Sequence, residues 1–348
     1  MLSAVVLEFI HVQALPELLV SLTPVLLFLT ILRLLDSYKL VALRSLLMSL
    51  VAGIVAALLC LFMNASLMLA TGIDSVTYSR TIAPLVEEIV KAVYIIVLIR
   101  SRRVGFMVDA AIQGFAVGAG FAVLENAVYL IARPEAGILV WLIRGLGTAM
   151  MHGASTSIVG IVTMTMVDRR GLTNPVVYLP GLVPAVVIHA LFNQFFIPAA
   201  LSAVVVLFLI PLLMVVVFAR SERATRQWLG VGFDTDRELL EMVMSGNLSE
   251  TKIGRYLERL EDRFQGVILA DMLNYLRVHL ELSIGAKGLL LMREAGFEVK
   301  GDSETREKFT ELRYLEKSIG PTGKLAILPF IHTSARDLWQ LHLLDAQS

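Results

Sequence analysis

The chain of 348 residues is 57% hydrophobic and 17% charged, with a mean hydropathy of +0.75, which excludes an ordinary water-soluble globule and indicates a membrane protein. Its 30 basic and 30 acidic residues cancel to a formal net charge of +0, so bulk charge gives no reason to expect a nucleic-acid partner. The one cysteine, Cys60, lies in an apolar run and excludes both an internal disulfide and a cysteine metal cluster.

Apolar stretches long enough to cross a bilayer, about 20 residues each, occupy residues 15–35, 43–69, 78–99, 107–131, 137–167, 176–197 and 199–219. The predicted fold is therefore all-α, a polytopic membrane helix bundle of about seven spans. No Lys or Arg precedes Arg33, so the first stretch lacks the basic region of a cleavable signal peptide and is expected to remain. Basic residues concentrate in alternate connections: Lys39 and Arg44, then Arg100, Arg102 and Arg103, then Arg169 and Arg170, then Arg220, Arg223 and Arg226. The positive-inside rule puts those connections in the cytoplasm, with the N-terminus outside, in the cell (inner) membrane.

Residues 1–220 form the predicted transmembrane domain, and residues 221–348 a small, mostly helical cytoplasmic domain. In the second part, "LSETKIGRYLERLEDRF" carries charges at helical spacing, with Ser249 as the candidate cap. Gly320-Pro321-Thr322-Gly323 predicts a loop, and "SARDLWQLHLL" a short amphipathic helix. No nucleotide loop or catalytic serine signature occurs there, so a structural or regulatory role is expected.

Ionisable groups inside a span cost several kcal/mol by insertion scales (about 3) and usually serve function. The third span reads "EEIVK": Glu87, Glu88 and Lys91, with Lys91 projecting about 40° from Glu87 and about 60° from Glu88. One carboxylate can pair with the lysine while the other does acid or base work; an intrahelical salt bridge is the plainer alternative. The fourth span, "GFAVGAGFAVLENAVYL", lines up Gly114, Gly118, Phe121 and Glu125 on one side, followed by Asn126. That stripe reads first as close helix packing that delivers Glu125 to a neighbouring backbone.

The fifth span is longer than a bilayer needs and places Arg144, Thr148, His152 and Ser155 on one side, with Arg144 a candidate counter-ion for Glu125. The sixth, "YLPGLVPAVVIHALFNQF", sets His189 and Asn193 one turn apart above Pro180 and Pro184, as in a helix that lines a wet cavity. Carboxylates, imidazoles, an amide and a lysine in a sheltered cavity can activate water, protonate a leaving amine and stabilise an oxyanion, the requirements of amide hydrolysis. Cys60 lacks polar company, and Ser155 and Ser157 have no base beyond His152. Two histidines with a carboxylate are also a zinc donor set, so Zn2+ is a candidate cofactor with Glu88, Glu125, His152 and His189 as candidate ligands, although the "HExxH" helix is absent.

"EEIVK", "GFAVLEN", Arg144 with His152, and "HALFN" together resemble the PrsW family of intramembrane proteases, itself similar to the CAAX prenyl endopeptidase and bacteriocin-processing group and to the scaffold subunit of γ-secretase. The resemblance covers residues 78–197 and leaves out the C-terminal part. It implies that Glu87 activates the hydrolytic water with Glu88 in support, that His189 and Asn193 form an oxyanion pocket, and that the enzyme is of glutamate or metal-dependent type. Glu125 stands where the CAAX type has the histidine of a Phe-x-x-x-His motif, so its role as water orienter, acid or metal ligand stays open. The substrate implied is a membrane-anchored protein such as an anti-sigma factor, cut to release a signal. A proton- or cation-coupled transporter is the alternative that buried Glu and His chains allow, without an internal repeat to support it. A non-catalytic scaffold is a third.

Overall fold

The computed structural model describes residues 14–170, 174–245, 252–261, 263–297, 303–331 and 335–345; among these every regular element is a helix. Two compact units divide at Ser221, Met1–Ser221 and Glu222–Ser348.

The first unit contains α1 (Ala14–Leu34), α2 (Leu43–Thr71), α3 (Ser75–Arg100), α4 (Met107–Ala132), α5 (Ile138–Ile143), a π-helical turn (Arg144–Ala149), α6 (Met150–Arg170) and α7 (Leu179–Asn193). The 46-residue α8 (Ala199–Met244) begins in it and runs on into the second unit. Six helical segments are long and apolar enough to cross a membrane: Pro16–Leu34, Leu43–Thr71, Met107–Ala132, Ile138–Asp168, Pro175–Asn193 and Ala199–Met244. The remaining expected span is α3, 26 residues long but set apart by Arg80, Glu87, Glu88, Lys91 and Arg100. Charges that would be costly against lipid are thus concentrated on a helix packed among apolar ones. The polytopic helical architecture read from composition is therefore the one observed.

Short connections are closed by local chemistry. Gly72 ends α2 in the left-handed region at φ 66°, returning its amide to Met68 O. Asp74 then caps α3, its carboxylate accepting from the amides of Val76 at 3.1 Å and Thr77 at 3.0 Å. In the first turn of α4, Asp109 folds back to take the amides of Gly105 at 2.8 Å and Phe106 at 2.9 Å.

Helix α4 is the centre of the unit, buried at nearly every position from Val108 to Ala122. Two glycine contacts make that possible. A Cβ on Gly118 would lie 2.1 Å from His152 O, and one on Gly53 1.9 Å from Val117 O. Backbones at such a distance leave room only for hydrogen, so the Gly114–Gly118 stripe packs α4 onto α6 and carries Glu125 to the histidine helix.

In the second unit, α9 (Lys252–Glu258), α10 (Gly266–Glu294), α11 (Ser303–Ile327) and α12 (Ala335–Asp345) surround a core that includes Met272, Leu276, Leu289, Leu312 and Leu315. The predicted loop at Gly320-Pro321 is instead a kink inside α11, where Gly320 takes φ 65° and ψ −179° and the chain resumes as helix. Proline suits the first turn of a helix, which is why the break is so short. The expected amphipathic segment is α12, with Trp339 and Leu344 buried. Ser249, the candidate cap, lies outside the described residues.

Candidate active site

Glu87, Glu88 and Lys91 project from the middle of α3 to different neighbours. Lys91 Nζ donates to Glu88 Oε1 at 2.5 Å, and both side chains are fully buried. The same oxygen accepts from Ser155 Oγ at 3.0 Å and lies 2.8 Å from His189 Nδ1. Glu88 Oε1 therefore collects three donors, while its Oε2 is buried without a hydrogen bond among the described residues. The lysine sits between the glutamates as the wheel predicts, but pairs with the carboxylate three residues before it.

Glu87 faces a cavity of about 280 Å³ instead. Asn64 Nδ2, from α2, donates to its Oε1 at 3.1 Å and is its sole hydrogen bond among the described residues. Tyr78 O–H donates to Asn64 Oδ1 at 3.1 Å and so fixes which end of the amide meets the glutamate. The other carboxylate on the cavity wall is Glu125, with apolar lining from Ala57, Leu61, Phe121 and Val128 among others.

Glu125 is held from the far side. Arg144 donates to its Oε1 at 2.9 Å and, through Nε, to Asn126 Oδ1 at 2.7 Å. His152 Nε2 lies 2.6 Å from Glu125 Oε2, while its Nδ1 lies 3.1 Å from Lys91 Nζ. An ammonium can only donate, so His152 accepts at Nδ1 and keeps its proton on Nε2, facing Glu125. Arg144 opens the π turn and His152 follows it in α6. The wider turn changes the register of the residues past it, and both side chains reach one carboxylate. The rings of His152 and His189 meet edge to face, centroids 4.7 Å apart.

One predicted member stands elsewhere. Asn193 Nδ2 donates to Ser79 O at 3.1 Å, and its neighbour Gln194 donates to Arg80 O at 3.1 Å. Arg80 O is the carbonyl that Pro84, four residues on and without an N–H, leaves unserved. The end of α7 thus repairs the proline break in α3, and the Asn193 amide is not among the groups that meet around Glu87. Asn64 and Tyr78 were not singled out from the sequence. A single carboxamide inside the apolar run "LLCLFMNASLMLA" was the available sign.

Glu87, His152 and His189 each offer a ligand atom, and these atoms lie within 4.8 Å of one another. With its Nδ1–H given to Glu88, His189 presents the Nε2 lone pair to Glu87 Oε2, 3.7 Å away. Two acceptors that face each other are satisfied by a shared proton or cation, and a carboxylate on the far ring nitrogen is the usual support of a metal-binding histidine. One oxygen and two imidazole nitrogens suit a catalytic zinc site, which keeps a further position open. An ion at His152 would take the Nδ1 lone pair that now accepts from Lys91, leaving Nε2–H on Glu125. Glu88 and Glu125, candidate ligands from the sequence, spend their bonded oxygens on other partners, so the structure groups Glu87 with the histidines instead.

The family model for the PrsW family intramembrane metalloprotease matches residues 41–220, more than half of the chain and all of the helices that build this site. No curated protein and no solved structure matches the chain. The chain therefore belongs to the PrsW family of intramembrane proteases, and it is a multi-pass membrane enzyme that acts on membrane proteins.

Proposed function

We propose that the protein hydrolyses a peptide bond of a membrane-anchored substrate with water activated by Glu87. The observation that carries the reading is the meeting of Glu87, His152 and His189 within 4.8 Å beside a cavity that Glu87 and Glu125 line. Among the described residues Glu87 has no cation within hydrogen-bonding distance, so its carboxylate is available to take a proton from water and return it to the leaving amine. Glu88 is a positioning residue: clamped by Lys91 and Ser155, it fixes the tautomer and tilt of His189. Arg144 and Glu125 do the same for His152.

A divalent ion held by His152, His189 and one oxygen of Glu87 would supply Lewis acidity at the scissile carbonyl and leave the other oxygen of Glu87 for the proton. Apolar cavity walls keep bulk water away from the reacting groups and suit the side chains of a membrane-spanning segment. We also infer from the basic connections that the C-terminal unit is cytoplasmic, and that a substrate such as an anti-sigma factor would be cut to release a signal. The test compares the N-termini of membrane proteins in cells that carry the wild-type chain or Glu87→Gln. New N-termini that require Glu87 support the reading; identical sets contradict it. A transporter would instead show pH-gradient-driven uptake in liposomes, unaccompanied by new N-termini.

A further inference from the structure

A second recess lies away from the catalytic cavity. It is a groove of about 600 Å³, walled by Leu43, Leu47, Met48, Val51 and Ala52 of α2 and by Tyr94 of α3, with Arg44 at its edge. Leu43, Leu47 and Val51 follow one another at four-residue spacing, an aliphatic track about 12 Å long at 1.5 Å per residue. All three are exposed, as are Arg44 and Met48.

Among the described residues, neither the Arg44 guanidinium nor the Tyr94 hydroxyl has a hydrogen-bond or ion-pair partner. Arg44 is in the first turn of α2, and α3 runs back alongside that helix to end at Arg100, followed by Arg102 and Arg103. None of these four arginines has an ion pair among the described residues. The groove therefore sets one arginine, Arg44, beside an apolar track, on a helix pair whose outer faces are apolar and exposed.

We infer that this groove binds one anionic phospholipid, with its phosphate on Arg44 and Tyr94 and an acyl chain along Leu43, Leu47 and Val51. The charge decides the class. A zwitterionic headgroup would bring an ammonium towards the Arg44 guanidinium, whereas phosphatidylglycerol brings only negative charge. The groove and the catalytic cavity have no lining residue in common, so the site is separate from that of peptide hydrolysis.

The test is native mass spectrometry of the full chain released from nanodiscs with phosphatidylglycerol or phosphatidylcholine of the same acyl chains. Wild type is expected to retain one phosphatidylglycerol through activation that strips phosphatidylcholine. Arg44→Gln should weaken that retention about fivefold, the value of one basic residue at an anionic surface. Tyr94→Phe should weaken it less, and Ala52→Trp should displace the lipid by filling the track. Arg133→Gln, in another connection, should leave it unchanged. Equal retention of both lipids, or retention indifferent to Arg44→Gln and Ala52→Trp, would overturn the inference. So would a groove that takes up a membrane-spanning peptide in preference to phosphatidylglycerol.

Discussion

Each unit of the chain buries one lysine against one carboxylate, and the two clusters share parts but not surroundings. In the membrane unit Lys91 meets Glu88 at 2.5 Å with Ser155 alongside; in the C-terminal unit Lys287 meets Asp236 at 2.5 Å with Ser283 on both. The second cluster is closed: Gln340 also donates to Ser283 at 2.7 Å, and Lys287 lies over the Trp228 ring at 5.2 Å. No recess among those described reaches it. The first is extended by His189, His152 and a second glutamate to the edge of a cavity. A buried ion pair is thus weak evidence of function; what distinguishes the membrane cluster is an acceptor left facing open space.

Substitutions in the two clusters separate by what they change. The largest expected effect is on chemistry: Glu87→Gln should lower cleavage about a thousandfold, as befits loss of a general base, with an unaltered melting temperature in detergent. Next is a stability effect with no catalytic counterpart. Lys287→Met leaves Asp236 charged and buried, which should cost about 3–5 kcal/mol in the C-terminal unit, and Asp236→Leu added to it should recover most of the loss; limited proteolysis reads this directly. Glu88→Gln weakens the acceptor behind His189 and should lower affinity for zinc about 10–100-fold by equilibrium dialysis.

Ser155→Ala removes one of three donors to Glu88, and a single hydrogen bond of about 1 kcal/mol predicts a five- to tenfold fall in kcat with KM unchanged. The smallest effect lies outside both clusters. The amide of Thr77 holds the Asp74 carboxyl below its ordinary value of 3.8. A lowered folded value means that the cap contributes fully above pH 3.8 and is lost as the pH falls through the folded value. Hydrogen exchange at Val76 and Thr77 should quicken in that acid range, and Asp74→Ala should give the same result at neutral pH.

Much of this was legible in the sequence, because lipid forces the pattern: apolar runs set the helices, and charges inside them had to belong to a shared interior. Glu87, Glu88, Lys91, Glu125, Asn126, Arg144, His152 and His189 do come together. The division of labour among them was not legible. A helical wheel gives angles but no partners, so it could not tell that Lys91 takes Glu88 and leaves Glu87 to the cavity. It assumes a constant turn, so it could not foresee the π turn that lets Arg144 and His152 reach one carboxylate. Asn193 turns to the Ser79 carbonyl because carboxamides serve oxyanions and main-chain carbonyls alike, and spacing along one helix does not say which carbonyl of its neighbour it meets. Asn64 and Tyr78 were missed because a single polar residue in an apolar helix carries no periodic signal.

The proposed nucleophile is water activated at Glu87. The most direct measurement takes a substrate identified from the N-terminal comparison and follows its cleavage by reconstituted wild type, Glu87→Gln, Ser155→Ala and Cys60→Ala in parallel. Cleavage lost in Glu87→Gln, reduced less than tenfold in Ser155→Ala and unchanged in Cys60→Ala is the expected result. Cleavage that survives in Glu87→Gln but disappears in either of the other two would contradict it.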